Sequence, residues 1–282
     1  MEGNWRLRGL SLAVDVALEQ AVHALQVRGN DDSPALPLAK LPPIAHAGGA
    51  LDGRSYANSI AALKHNFDLG FRWFELDFQR TADGELVCGH DWGPTLPEEL
   101  GLPADAPPTL AGFRHVVAGA ANAPCLLEQL RGWLEAHPDA RIVTDFKSRA
   151  IDGPRVLAER IPERGQRLIA QVYQPDEIAQ ARALGYPDII WTLYRYAGQT
   201  RDVVDALTQD RPMAVTMDQQ RLASGLGLTL QRAGVAVYVH AVNHVDTAAD
   251  DLANWGAAGI YTDTLAPAIL ERLEMAERAG SE

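Results

Sequence analysis

Three acidic residues, a lysine and two histidines stand out by type and spacing: Glu75, Asp77, Asp145, Lys147, His46 and His90. In the run Phe71-Arg72-Trp73-Phe74-Glu75-Leu76-Asp77-Phe78, strand alternation puts Trp73, Glu75 and Asp77 on one face and Phe74, Leu76 and Phe78 on the other. Two ionised carboxylates about 7 Å apart in a partly dry cavity repel each other, and a divalent cation is the simplest compensation. The alternative is a salt-bridged pair facing solvent on an edge strand. A second run, Ile142-Val143-Thr144-Asp145-Phe146-Lys147, turns Asp145 and Lys147 to the same side as Val143. Three carboxylates suit Mg²⁺ or Ca²⁺, with coordination positions left for water or substrate oxygens. Lys147 can hold a phosphate oxygen or neutralise Asp145, and the two roles are compatible. His46 and His90 follow short apolar runs and titrate near neutrality, so they are either an acid–base pair or strand-end structural residues.

The elements that must position these residues alternate along the chain. β-rich runs fall at Pro43–His46, Arg72–Asp77, Arg141–Phe146, Leu168–Tyr173, Ile189–Tyr194, Met213–Met217, Val235–Val242 and Gly259–Thr262. Helical patterns lie between most of them, as at Ser59–Leu69, Leu126–Ala136, Asp176–Leu184 and Thr247–Asn254. Eight strands alternating with helices predict an α/β fold, a single (β/α)₈ barrel, whose active site lies at the C-terminal ends of the strands. A doubly wound sheet would show a longer glycine-rich loop after its first strand than Gly48-Gly49. The proline-rich stretch from Gly93 to Pro124 reads as an insertion over one barrel face, with little periodicity. An amphipathic helix over Leu7–Val27 and a polar linker precede the barrel, which divides the chain into 1–42 and 43–282.

Composition narrows the partners. Thirty-seven acidic against 25 basic side chains leave a net charge of −12, so nucleic acid is not expected as a partner. A phosphorylated small molecule fits only if the site supplies its own positive charge. Apolar residues make up 47% of the chain, enough for a large core. No apolar stretch has the length of a membrane span or the pattern of a signal peptide, which gives a cytoplasmic location as the expectation. Cys88 and Cys125 allow at most one disulfide and leave the redox compartment open. Oligomeric state has no signature here.

The motifs resemble those of the glycerophosphodiester phosphodiesterases, barrels related to phosphatidylinositol-specific phospholipases C. Ile44-Ala45-His46-Ala47-Gly48-Gly49 is similar to their opening H-R-G segment. Glu75-Leu76-Asp77, Thr81-Ala82-Asp83-Gly84-Glu85-Leu86-Val87 and His90-Asp91 resemble E-x-D…T-x-D-G-x-x-V…H-D. Asp145-Phe146-Lys147 stands in place of E-x-K, His240-Ala241-Val242-Asn243 in place of W-T-V-N, and Gly259-Ile260-Tyr261-Thr262-Asp263 resembles the closing G-I-x-T-D. The likeness spans Pro43 to Asp263. It implies His46 and His90 as acid–base pair and Glu75, Asp77 and Asp145 as metal ligands.

Two departures matter: Ala47 replaces the arginine of H-R-G, and Ala57, in Tyr56-Ala57-Asn58-Ser59, replaces the glutamate of P-E-N-T. The reduced set is similar to that of the phospholipase D toxins, which share the barrel. Lys147, Arg54, Asn58, Trp191 and Asn243 are the candidate contacts to substrate or phosphate. The expected activity is metal-dependent hydrolysis of a glycerophosphodiester-like small molecule or phospholipid headgroup. The alternatives are a lyase forming a cyclic phosphate and a non-catalytic barrel that binds a phosphorylated ligand.

Overall fold

A computed structural model describes residues 40–280 except 94, 104–105, 121, 147–150 and 162–163, and before residue 40 only Glu19, Gln20 and Val22. The expected helix over Leu7–Val27 therefore lies outside the described residues, apart from those three. Eight parallel strands form a closed ring: β1 (Ile44–Ala45), β2 (Trp73–Arg80), β4 (Arg141–Phe146), β5 (Leu168–Val172), β6 (Ile189–Thr192), β7 (Ala214–Met217), β8 (Val237–Val239) and β9 (Gly259–Thr262). β1 closes the ring by pairing with both β2 and β9. Each of the eight falls inside a run expected from the sequence, except that β2 continues three residues past Asp77.

That extension has a partner absent from the sequence reading. β3 (Leu86–Cys88) folds back antiparallel on the end of β2, pairing Phe78 with Cys88 and Arg80 with Leu86. The turn between them is fixed by Thr81, whose hydroxyl bonds Asp83, and by Gly84 at φ +83°, a conformation that favours glycine. The hairpin carries the chain to His90 at the barrel rim. The stretch from Gly93 to Pro124 is more regular than expected, with helices at Thr95–Leu100 and Leu110–Val117. Thr109 caps the second by accepting from Gly112 N, and Phe113 and Val117 bury against Val87 and Leu126 in a small core of their own. A disulfide joins Cys88 to Cys125 and fastens this insertion to β3.

Strand alternation sorts the barrel side chains into two cores. Phe74, Leu76, Phe78, Ile142, Phe146, Ala170 and Val172 point outward against the helices. Ile44, Val143, Ile169, Ile190, Ala214, Tyr238 and Tyr261 pack inside the ring, with Trp73 against them. The interior is thus filled at its lower end by apolar and tyrosyl side chains. Polar residues of β2 and β4 sit further along the same faces, toward the C-terminal ends.

Candidate active site

Strand register assembles the acidic cluster. β2 and β4 pair so that Asp77 lies directly opposite Asp145, with Glu75 one pleat lower opposite Val143. All three are buried, at 2%, 0% and 3% exposure. Each presents a carboxylate oxygen such that the three oxygens lie within 4.8 Å of one another. Oxygens bound to one hard cation at about 2.0–2.6 Å stand at most about 5 Å apart, so the donor set fits a single Mg²⁺ or Ca²⁺ in both spacing and chemistry. Without a cation, three carboxylates at this spacing in a dry interior repel strongly.

Their surroundings hold them in place. The backbone N–H of Ala47 donates to Glu75 Oε2 at 2.8 Å. Asn58, wholly buried, grips Asp77 twice: its Nδ2 donates to Asp77 Oδ2 at 3.0 Å and its Oδ1 accepts from Asp77 N at 2.9 Å. Tyr173, at the end of β5, donates its hydroxyl to Asp145 Oδ1, and Tyr194, just beyond β6, donates to Asp145 Oδ2 at 3.2 Å. The two phenols also touch each other at 2.8 Å. Burial, reinforced by the Asp145 charge, pushes the Tyr173 phenol far above its ordinary pKa, so it stays a donor to that carboxylate.

His46 sits in a single helical turn directly after β1, which continues through Gly48 and Gly49 in left-handed conformation. A side chain at Gly49 would meet the Asn66 amide at 2.4 Å, and that amide ties the turn by donating to the Gly48 and Ala50 carbonyls. His46 Nδ1 lies 2.9 Å from Asp263 Oδ1, and its Nε2 faces Glu75 Oε2 at 3.9 Å. Burial works against charging this imidazole, but the Asp263 hydrogen bond and the charges of Glu75, Asp263 and Asp77 outweigh it and raise the pKa. Asp263 is in turn held below the usual carboxylate range: burial opposes this, and the His46, Asn243 and Ser55 hydrogen bonds prevail. Asn243 donates to Asp263 Oδ2 at 2.6 Å and accepts from Asp263 N at 2.7 Å.

His90, at the start of the loop after β3, has Nδ1 2.6 Å from Asp91 Oδ2 and is about four-tenths exposed. The Tyr56 ring lies edge-on to both His46 and His90, with centroids 4.8 and 5.2 Å away, so one aromatic side chain separates the two imidazoles. His240 packs against His46 and Tyr194 on the opposite flank.

The structure thus brings together Glu75, Asp77, Asp145 and His46, with His90 across Tyr56. Asn58 and Asn243 lie beneath the site and bond its carboxylates. Trp191 is buried in the outer core and donates to the Tyr173 carbonyl. Arg54 is on the exposed part of the loop 51–58, and Lys147 lies outside the described residues. Sequence reasoning did not single out Asp263, Tyr173 or Tyr56 as site residues. Asp263 carried the same signal as Asp77 and Asp145, an acidic residue at the end of a barrel strand; the tyrosines carried none.

No family model matches the sequence, and no curated protein matches it. Solved structures do. A glycerophosphodiester phosphodiesterase from Thermotoga maritima superposes with a TM-score of 0.62 at 16% identity, covering 83% of this chain and 98% of its own. One from Parabacteroides distasonis gives 0.60 at 18% identity, covering 85% and 99%. A phosphodiesterase from Oleispira antarctica, in complex with the product sn-glycerol-3-phosphate, gives 0.60 at 16% identity, covering 83% and 97%. At these identities the likeness establishes the fold: the chain is built on the same (β/α)₈ barrel as these glycerophosphodiester phosphodiesterases.

Proposed function

We propose that the protein is a metal-dependent phosphodiesterase acting on a small glycerophosphodiester-like molecule. One observation carries the reading: three buried carboxylates converge within 4.8 Å at the active-site end of a barrel, beside a histidine held by Asp263. A purely structural barrel gains nothing by burying that much like charge. The product bound by the Oleispira antarctica phosphodiesterase supports the substrate class.

A divalent cation, Mg²⁺ or Ca²⁺, would be held by Glu75, Asp77 and Asp145 and would supply charge against a non-bridging phosphate oxygen. The chain's own residues do the rest. Ala47 N–H, Asn58, Tyr173 and Tyr194 fix the three carboxylates before any substrate arrives. Asp263 fixes the ring orientation of His46 and stabilises its protonated form, as an acid–base residue requires. Asp91 does the same for His90. The two imidazoles flank Tyr56, so one can take a proton from the attacking oxygen while the other gives one to the departing oxygen. Asn243 acts through Asp263 as a positioning residue.

Phosphorus NMR on a panel of phosphodiesters, with a divalent cation and with EDTA, tests the reading. The expected result is a linear monoester formed only with the cation and lowered about 10²–10⁴-fold by His46→Ala or His90→Ala. A cyclic phosphate as end product would make the protein a lyase, and no conversion of any diester would leave a ligand-binding barrel. The cytoplasmic location expected from sequence stands against the Cys88–Cys125 disulfide, since such bonds persist mainly in oxidising compartments. No described helix is long and apolar enough to cross a membrane.

A further inference from the structure

We infer that a cavity on the far side of Tyr56 from the acidic cluster is the subsite for the departing alcohol, that it takes a small uncharged alcohol, and that Tyr56 and Leu96 set its size limit. The inference rests on the phosphodiesterase reading above. The cavity has a volume of about 330 Å³ and is lined by Ser55, Tyr56, His90, Asp91, Leu96 and Pro124. It therefore contains one of the two acid–base histidines, while the carboxylates and His46 lie behind the Tyr56 ring.

Size decides what fills it. An attacking water needs about 30 Å³, and this space holds roughly ten of them, so its occupant is an organic group. The immediate surroundings of His46, 4% exposed, are tight by comparison and suit the water. In the resulting arrangement the water oxygen forms a new bond to phosphorus and passes its proton to His46. The bond from phosphorus to the alcohol oxygen breaks on the other side, and that oxygen takes the proton of His90. A phosphomonoester and a free alcohol result, with no other reactant consumed. Asp91 on Nδ1 leaves His90 Nε2 as the nitrogen that meets the alcohol.

Chemistry of the walls decides the class. Leu96, 6% exposed, and Pro124 offer carbon surface, and Ser55 offers a hydroxyl. The one carboxylate, Asp91, is committed through Oδ2 to His90 and through Oδ1 to the Gly93 N–H. A cationic alcohol finds no carboxylate of its own, whereas a neutral one matches the mixed lining.

The walls are also built to keep their shape. Pro124 bridges Ser59 and adjoins the disulfide-bonded Cys125. Gly89, at φ +150°, lets Leu96 lie against the backbone, where an added Cβ would meet Leu96 Cδ2 at 2.7 Å. Tyr56 is held at φ +62°, a conformation bulky residues rarely adopt, and its ring is half exposed yet packed on both imidazoles. A side chain kept so at a site's dividing wall suits a gauge of ligand size.

The test uses glycerol phosphodiesters that carry methyl, butyl or benzyl alcohol as the leaving group, assayed with Mg²⁺, Ca²⁺ and Mn²⁺. Leu96→Ala should raise the benzyl-to-methyl ratio of kcat/KM about tenfold, and Leu96→Phe should lower it about tenfold. Tyr56→Ala should relax the ratio and Tyr56→Phe should preserve it. Each ratio is taken within one variant, so partial misfolding does not affect it. The same substituents placed on the retained glycerol arm should leave the ratio unchanged. Turnover with identical ratios in all variants overturns the subsite and leaves the phosphodiesterase reading standing. No turnover of any diester by the unmodified protein overturns both.

Discussion

Asn58 is the residue on which the acidic cluster leans most heavily, and replacing it should cost the fold several kilocalories. Its side chain satisfies Asp77 N and Asp77 Oδ2, while its backbone N–H donates to the Ala47 carbonyl and its carbonyl accepts from Cys125 N. It thus joins the His46 turn, β2 and the disulfide-anchored insertion at a wholly buried point. In Asn58→Ala the Asp77 N–H is left buried without its acceptor, costing about 1–3 kcal/mol, and the carboxylate loses a donor worth about 1.5–3 kcal/mol. The backbone at φ +45°, which asparagine tolerates better than alanine, adds a fraction of a kilocalorie. A loss of about 3–5 kcal/mol follows, a large share of the roughly 5–15 kcal/mol that domains possess. Urea denaturation followed by circular dichroism measures it as a lower midpoint at similar slope. Asn58→Asp sharpens the test. It keeps the acceptor for Asp77 N but sets a second carboxylate 3.0 Å from Asp77 Oδ2, so the variant should be destabilised at neutral pH and regain more stability than the parent on adding a divalent cation. Asn58→Ala within about 1 kcal/mol of the parent would refute the assignment of Asn58 as the support of Asp77.

Tyr173→Phe removes a phenol donor to Asp145 and should weaken divalent-cation binding about 10–100-fold in calorimetric titration, with unchanged affinity counting against the role of the tyrosine. Asp251, on the helix Val245–Asn254, supplies a pH test away from the site. Burial pushes its carboxyl up to about 6, against the Gln219 bond and with help from Asp250. Because the folded pKa exceeds the unfolded one, the favourable contribution is complete below the unfolded value and disappears as pH rises through about 6. Asp251→Asn should therefore stabilise the protein by about 1–2 kcal/mol at pH 8, after allowance for partial solvent access, and by little at pH 4. Equal effects in denaturation at the two pH values would contradict this.

The barrel and its acidic cluster were legible because they depend on period-two alternation, which places Glu75, Asp77 and Asp145 without knowledge of any long-range contact. The match of Asp77 to Asp145 across β2 and β4 follows from barrel register and was not legible. Nor was β3, a three-residue strand whose only signal was the turn before it. The helices Thr95–Leu100 and Leu110–Val117 are too short and too near prolines for a clear helical period. Asn58 and Asn243 were recognisable as site residues, but their place beneath the carboxylates depends on burial that one sequence does not encode locally. Tyr173 and Tyr194 meet Asp145 only because neighbouring strands end at the same height.

The central claim, that Glu75, Asp77 and Asp145 together bind one divalent cation, is tested most directly by anomalous scattering from crystals soaked in Mn²⁺. The account predicts a single strong peak about 2.0–2.6 Å from a carboxylate oxygen of each of the three residues, displaced by excess Mg²⁺. Saturating Mn²⁺ with no peak among these oxygens, or with the ion bound elsewhere on the barrel, would contradict it.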